Sequence, residues 1–312
     1  MAVDDDKLLT VKVNAFICDA PARAFLKCTK GHNAYYSCER CIIKGVWHGR
    51  VVFDINENLP PLRTEEDFRN LAYSDHQIKK SPLLDIGLPC ITSFPLDYMH
   101  LVCLGVVKRL LTYLKHGPRE CELSHQQFSL LSQKLCALNS KMPRDFARQP
   151  RSMYDMDKWK ATEYRQFVLY TGPLVLRSVV SEKLYSHFLC LTVALSILLE
   201  SNDVTRNAYL DYAKELLIHF VQSGKHMYGE TFTSYNVHTL IHLTEDVQHF
   251  NTSLNDICAF QFENHLHKLK KSVKKAQNPI AQVVKRITEI DMSRTKHSTK
   301  LRCLYVSTKK KG

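Results

Sequence analysis

Three carboxylates stand where metal-assisted phosphoryl transfer would use them. Asp19 closes the apolar run from Leu8 to Cys18, Asp97 closes Phe94-Pro95-Leu96, and Glu263 lies in Phe260-Gln261-Phe262-Glu263 at the start of a helical stretch. Carboxylates at strand ends can share two Mg²⁺ or Mn²⁺ ions about 4 Å apart. One ion would activate a water or a 3′-hydroxyl, and the other would stabilise the leaving oxygen of a phosphodiester. Taken singly, an Asp at a strand end also serves as a turn or cap residue, and a Glu in a first helical turn also answers the helix dipole. His100 follows Asp97 at the entrance of the next helix. It reads either as a histidine turned toward the metal site or scissile phosphate, or as a core histidine bonded to backbone.

A second group is built for a softer metal. Cys38-x-x-Cys41 has the spacing of a zinc knuckle, and Cys28 and His32 lie just upstream, giving C-x₃-H-x₅-C-x₂-C. Such ligands in a reducing compartment favour structural Zn²⁺. A composite set is the alternative: Cys38 and Cys41 completed by His238 and His242, which lie one helical turn apart and share a face. Both sets stay open on spacing alone. The chain's eleven cysteines, mostly isolated, read as reduced intracellular thiols.

Charge points to a polyanion. The formal net charge is +12, and Asn264–Gly312 alone holds 11 Lys and 3 Arg against Glu289 and Asp291, so 14 − 2 = +12 sits in this end. Concentrated cations bind nucleic acid through counterion release. Lys268, Lys270, Lys271, Lys274 and Lys275 follow Glu263 on one helical stretch and are the candidates for tracking DNA phosphates. Lys160 and Arg165 beside Trp159 read as exposed cations around a buried indole, with phosphate contact as the alternative. Lys309 to Lys311 is a short lysine cluster of the kind read as a nuclear address. The first seven residues are acidic and carry no secretory signal, and the most apolar stretch, Phe188 to Leu199, is far short of a bilayer span.

These side chains need elements to position them. Leu8 to Cys18, Gly49 to Asp54 and Leu88 to Leu96 read as strands, the last broken by Pro89 and Pro95. From Tyr98 the apolar period becomes helical, and it stays helical in successive segments between Leu123 and His249. A last helix over about Phe260 to Lys275 holds Glu263, Asn278-Pro279 interrupts it, a further helical run reaches Ile290, and the chain after Ser293 reads as loose and basic. The layout is α/β with a large all-α insertion between the second and third acids. The expected parts are residues 8–100 (first part of the core with its embedded Cys/His loop), 101–255 (helical insertion), 256–290 (helix region with the third acid) and 291–312 (basic tail).

Several blocks resemble a known family. Cys18-Asp19-Ala20-Pro21-Ala22, Gly31-His32 with Cys38-Glu39-Arg40-Cys41, Phe94-Pro95-Leu96-Asp97-Tyr98-Met99-His100, Trp159-Lys160-Ala161-Thr162-Glu163 and Phe262-Glu263-Asn264 resemble the transposase domain of the CACTA (En/Spm) type, especially its animal, transposon-derived members. The resemblance covers roughly residues 8 to 290. It implies an RNase H-like core whose Asp-Asp-Glu triad, matched by position to Asp19, Asp97 and Glu263, cuts double-stranded DNA at element ends and joins it to a target. Asp85 rivals Asp97 as second acid, because in related transposases the Asp-x-x-His pattern follows that acid. The related recombinases that assemble antigen-receptor genes pair a Cys-x-x-Cys with two histidines about 20 residues before the catalytic Glu, and here His242 precedes Glu263 by 21. The resemblance further implies a nuclear protein that self-associates. Because the sequence begins close to the first strand, recognition of element ends is expected from another chain, from a missing exon, or from nowhere. The alternative function is a domesticated descendant that binds DNA or chromatin without cutting.

Overall fold

The computed structural model describes residues 13–55 and 58–307, with side chains through residue 293. It is mostly helical. In chain order the elements are α1 (Ala20–Lys27), a hairpin of β1 (Val46–Trp47) and β2 (Val51–Val52), α2 (Glu65–Arg69), a π-helix (Met99–Val107) running into α3 (Lys108–His116), α4 (His125–Cys136) and α5 (Ala161–Gln166). Then come α6 (Gly172–Leu176), α7 (Glu182–Leu198), α8 (Asp203–Ala208), α9 (Leu210–Tyr228), α10 (Tyr235–Thr239), α11 (Leu243–Phe250), α12 (Phe260–Ser272) and α13 (Pro279–Ser307). One compact unit ends at Ala259, and a second starts at Phe260 with α12 and α13. No helix among the described residues is long and apolar enough to cross a membrane.

The α/β, RNase H-like expectation is overturned. Among the described residues the sheet is a single antiparallel pair, Val46 with Val52 and Trp47 with Val51. Of the expected first strand, residues 13–18 form no regular element and the earlier ones lie outside the described residues, and Leu88 to Leu96 forms turns and bends. The reason lies in where the backbone bonds of that second segment go. Glu65 accepts the amides of Cys90, Ile91 and Thr92 at 3.0, 2.9 and 2.7 Å. Arg40 donates to the carbonyls of Ile91 and Phe94, and Asp246 accepts the amide of Leu96 at 2.7 Å. Charged side chains, Arg40 and Asp246 among them buried, thus satisfy groups that a neighbouring strand would otherwise take. Residues 13–18 touch this segment through the Phe16 amide on the Ser93 carbonyl, 2.8 Å, and a Phe16–Phe94 stack at 4.9 Å.

The helical part follows the apolar period more faithfully. Ser124 and Gln127 form a reciprocal capping box on α4, Ser181 caps α7 and Asn202 caps α8. Helices α7 and α9 pack along each other, burying Phe188, Leu191 and Leu195 on one side and Leu217, Phe220 and Val221 on the other. The π-helix lies against α10 at Gly105, where a Cβ would meet the Asn236 side chain at 2.5 Å and the His100 carbonyl at 3.1 Å. A larger residue there would have to push Asn236 aside, so glycine lets the two helices close on each other beside His238. At the chain's end, α13 continues through Ser307 where a loose tail was expected. Gln282 ties its first turns to the preceding connection by accepting the amides of Lys274 and Lys275 and donating to the Lys275 and Gln277 carbonyls.

Where α7 meets α9, His187 is buried. Its Nε2 lies 2.9 Å from the Phe220 carbonyl and its ring stacks on Phe220 at 4.1 Å. Burial lowers it to about 4, and burial beside Arg63 and Lys27 lowers His76 to about 4 as well. The unfolded chain therefore binds more protons than the folded one between these values and the ordinary value near 6.5, so stability is complete above that window and falls as pH drops through it. Urea unfolding at pH 7.5 and pH 4.5 is expected to show a loss of about 2–3 kcal/mol for each of the two histidines. His187→Gln should flatten that dependence, and an unchanged slope in the variant would contradict the assignment.

Candidate metal centre

The loop after α1 begins where Cys28 adopts a left-handed conformation, φ 55°, and ends the helix. It returns to the core at Cys38-Glu39-Arg40-Cys41, whose four side chains are all buried and point to different partners. Glu39 accepts from Arg23 at 2.9 Å, Lys27 at 2.8 Å and the Tyr235 hydroxyl at 2.7 Å. Burial alone would raise its carboxyl, but Arg23 and Lys27 outweigh burial and hold it far below the ordinary carboxylate range. Arg40 pairs with Asp246 as well as with the two carbonyls. Burial keeps Asp246 above its ordinary value even against that guanidinium.

Tyr235 opens α10 and Asp246 lies in α11, so the two residues between the cysteines grip the segment that carries His238 and His242 from both sides. The result is a cluster of Cys38, Cys41, His238 and His242, all buried, with ligand atoms within 4.8 Å of one another. The two sulfurs lie 3.4 Å apart, and Cys41 Sγ is 3.3 Å from His238 Nε2. A tetrahedron with Zn–S near 2.3 Å and Zn–N near 2.0 Å has edges of about 3.3–3.8 Å.

The donor set fits zinc on its own chemistry. Burial opposes ionisation of Cys38, yet the Cys41 hydrogen bond and the charges of His238 and His242 hold its thiol well below the ordinary range. Cys41, donating to Cys38 and buried, is pushed far up. Burial pulls the His242 imidazole down, but the Cys38 charge and Glu245 outweigh it and raise it to about 9. His242 Nε2 has no hydrogen-bond partner among the described residues, while its Nδ1 lies 3.2 Å from Glu245. A carboxylate on the far nitrogen is the usual orienting partner of a metal-bound histidine. Phe53 packs against the His238 ring at 5.4 Å, and Arg63 donates to the Cys38 carbonyl at 3.0 Å. A Zn²⁺ held here by four protein ligands would be structural, with no position left for substrate.

The remaining candidates lie elsewhere. Cys28 is half-buried with its sulfur 3.8 Å from the Phe25 carbonyl, and His32 is exposed; neither joins the cluster. Asp19 caps α1 through the Ala22 amide at 2.9 Å. Asp97 is fully buried and accepts from the amides of Ala259 at 2.6 Å and His100 at 2.9 Å and from His100 Nδ1 at 2.5 Å. Burial would raise its carboxyl, but these bonds, led by His100, lower it. Both aspartates act on Cys18, whose thiol is raised chiefly by burial, with Glu39, Asp19 and Asp97 adding to burial against Arg23. Asp85 is an exposed partner of Lys80. Glu263 is exposed on α12 of the second unit, as are Lys268, Lys270 and Lys271, while Lys274 and Lys275 are exposed in the connection after α12, past the helix expected to carry them.

In the Trp159 block, Glu163 is buried and caps α5 through the Lys160 amide while pairing with Arg151. Arg165 lies over the Tyr98 ring at 5.7 Å and donates to Asn255, and Lys160 is exposed. Reading the sequence for ligands missed Glu39, Arg40, Glu245 and Asp246. The signal was there: opposite charges between two cysteines, and two acids just after the second histidine. No protein family, curated protein or solved structure matches the chain.

Zinc analysis of the purified chain should find about one ion per molecule. Cys41→Ser and His242→Ala are expected to lose it and to lower the melting temperature, whereas Cys28→Ser should keep it. Equal zinc in wild type and Cys41→Ser would eliminate this centre.

Proposed function

We propose that this chain is a zinc-stapled helical protein of transposase ancestry that holds nucleic acid without cutting it. The observation that carries the reading is the buried Cys38, Cys41, His238 and His242 cluster, which joins ligands far apart in the chain. Zinc there supplies structure: it clamps the Cys loop to the helical part and leaves binding to other surfaces. The polyanion partner is supported by the placement of the whole net charge in Asn264–Gly312 and by the exposed lysines of α12. Lysines of this kind neutralise phosphates and release counterions, so affinity should fall steeply with salt.

The non-cutting reading is favoured by the state of Asp97. Its oxygens are taken up by the backbone amides of Ala259, His100 and Met99 and by the His100 imidazole inside a buried site. To share magnesium it would have to surrender those donors and leave the Ala259 and His100 amides unsatisfied, at about 1–3 kcal/mol each.

The test is a binding and cleavage assay on one labelled duplex of about three helical turns, across a salt series, with Mg²⁺ or Mn²⁺ present. Retention without nicking is expected. Replacing Lys268, Lys270, Lys271, Lys274 and Lys275 by Gln should weaken retention and lower the salt slope by roughly 0.9 for each phosphate that is no longer neutralised. Metal-dependent cleavage that disappears in Asp19→Ala and Glu263→Ala would overturn the reading in favour of a nuclease.

A further inference from the structure

Beside the Cys loop lies a cavity of about 860 Å³ whose lining includes Lys30, Tyr35, Tyr36, Lys44, Trp47 and Asp75. It is a groove open to solvent, with a volume in the range of about 300–1,000 Å³ typical of ligand sites. Its aromatic side chains are unusually open: Trp47 is 60% and Tyr35 48% exposed. Trp47 stands on β1 beside a turn whose His48 and Arg50 are also exposed.

The cavity's walls are fixed by the fold. The Gly45 amide donates to the Tyr35 carbonyl at 2.7 Å. A Cβ on Gly45 would meet Val51 at 2.4 Å and Phe53 at 2.9 Å, so β1 can return flush against β2 only with glycine there. Phe53, next after β2, packs on His238 and its amide donates to the Thr233 carbonyl. The Tyr36 carbonyl is held by His76 Nδ1 at 2.7 Å. The wall is thereby anchored to the metal centre.

Open aromatic faces interleaved with cations form the surface that unpaired nucleotides use. Bases stack on any flat ring, and phosphates pair with lysines. A duplex buries its base faces and cannot use such rings. Lys44 lies 5.9 Å from the Tyr36 ring, close enough to follow a backbone passing over the aromatics. Asp75 disfavours a phosphate at its own wall, and it offers an acceptor to the amino group of a stacked base.

We propose that this cavity binds an unpaired stretch of nucleic acid, with bases stacked on Trp47 and Tyr35 and phosphates paired with Lys30 and Lys44. The proposal rests on the nucleic-acid reading above and gives the first unit a strand-selective site of its own, besides the lysines of the second.

The chain holds two tryptophans, and the other, Trp159, is buried at 7% exposure. In a Trp159→Phe variant of the full chain, Trp47 is the sole indole emitter. Titration with a short oligothymidylate should quench its emission to saturation. Trp47→Ala should weaken binding of labelled oligothymidylate about tenfold, by anisotropy, while retention of the duplex stays as in wild type. Should Trp159→Phe fail to fold, iodide quenching of the wild type reads the same contact, because iodide reaches only the exposed indole. Trp47 emission that does not move while the labelled strand is bound overturns the proposal and leaves the nucleic-acid reading standing. Failure to bind either the strand or the duplex overturns both.

Discussion

Two buried charges between a pair of cysteines fasten the loop to the helices behind it. Glu39 reaches the start of α10 through Tyr235, and Arg40 reaches α11 through Asp246. Each side chain gives up water, which is costly for a lone charge. Each is compensated by several donors or acceptors, so that removing one partner would cost about 3–5 kcal/mol. The geometry of Cys38 and Cys41 against His238 and His242 follows from this grip. The same Arg40 fixes the carbonyls of Ile91 and Phe94, so one guanidinium links the Cys loop, the segment before the π-helix and α11.

That arrangement also explains what the sequence could and could not disclose. Helices α4, α7 and α8 follow their apolar period and their Ser and Asn caps, which are local signals. The break at Asn278-Pro279 is local too, and α13 starts at Pro279. The segment Leu88 to Leu96 misled because its composition suits a strand while its backbone partners, Glu65, Arg40 and Asp246, come from remote parts of the chain. No local rule reveals an amide bonded to a carboxylate 150 residues away.

The candidate site was legible in part. Cys-x-x-Cys and His-x-x-x-His are each visible, and the helical spacing puts both histidines on one face. Which partners the cysteines take was undecided, because spacing treats Cys28 and His32 as equal candidates. Burial separates them: the cluster residues lie inside, whereas His32 faces solvent. Asp97 shows the opposite difficulty. An acid at the end of an apolar run followed by His looks the same whether it awaits a metal or caps a turn, and only its bond from the Ala259 amide distinguishes the two.

The separation of Cys41 from His238, 197 residues, has a consequence during synthesis. At about 5–20 residues per second the cysteine pair leaves the ribosome roughly 10–40 s before its histidines. Until then the thiols have no permanent partners, and any zinc they pick up sits on an unfinished clamp. Closing so long a loop costs only slightly more entropy than closing a short one, so the delay is one of timing more than of energy. An oxidant or a holding chaperone would find its target in that interval, on the nascent chain, and would lose it once α10 and α11 arrive.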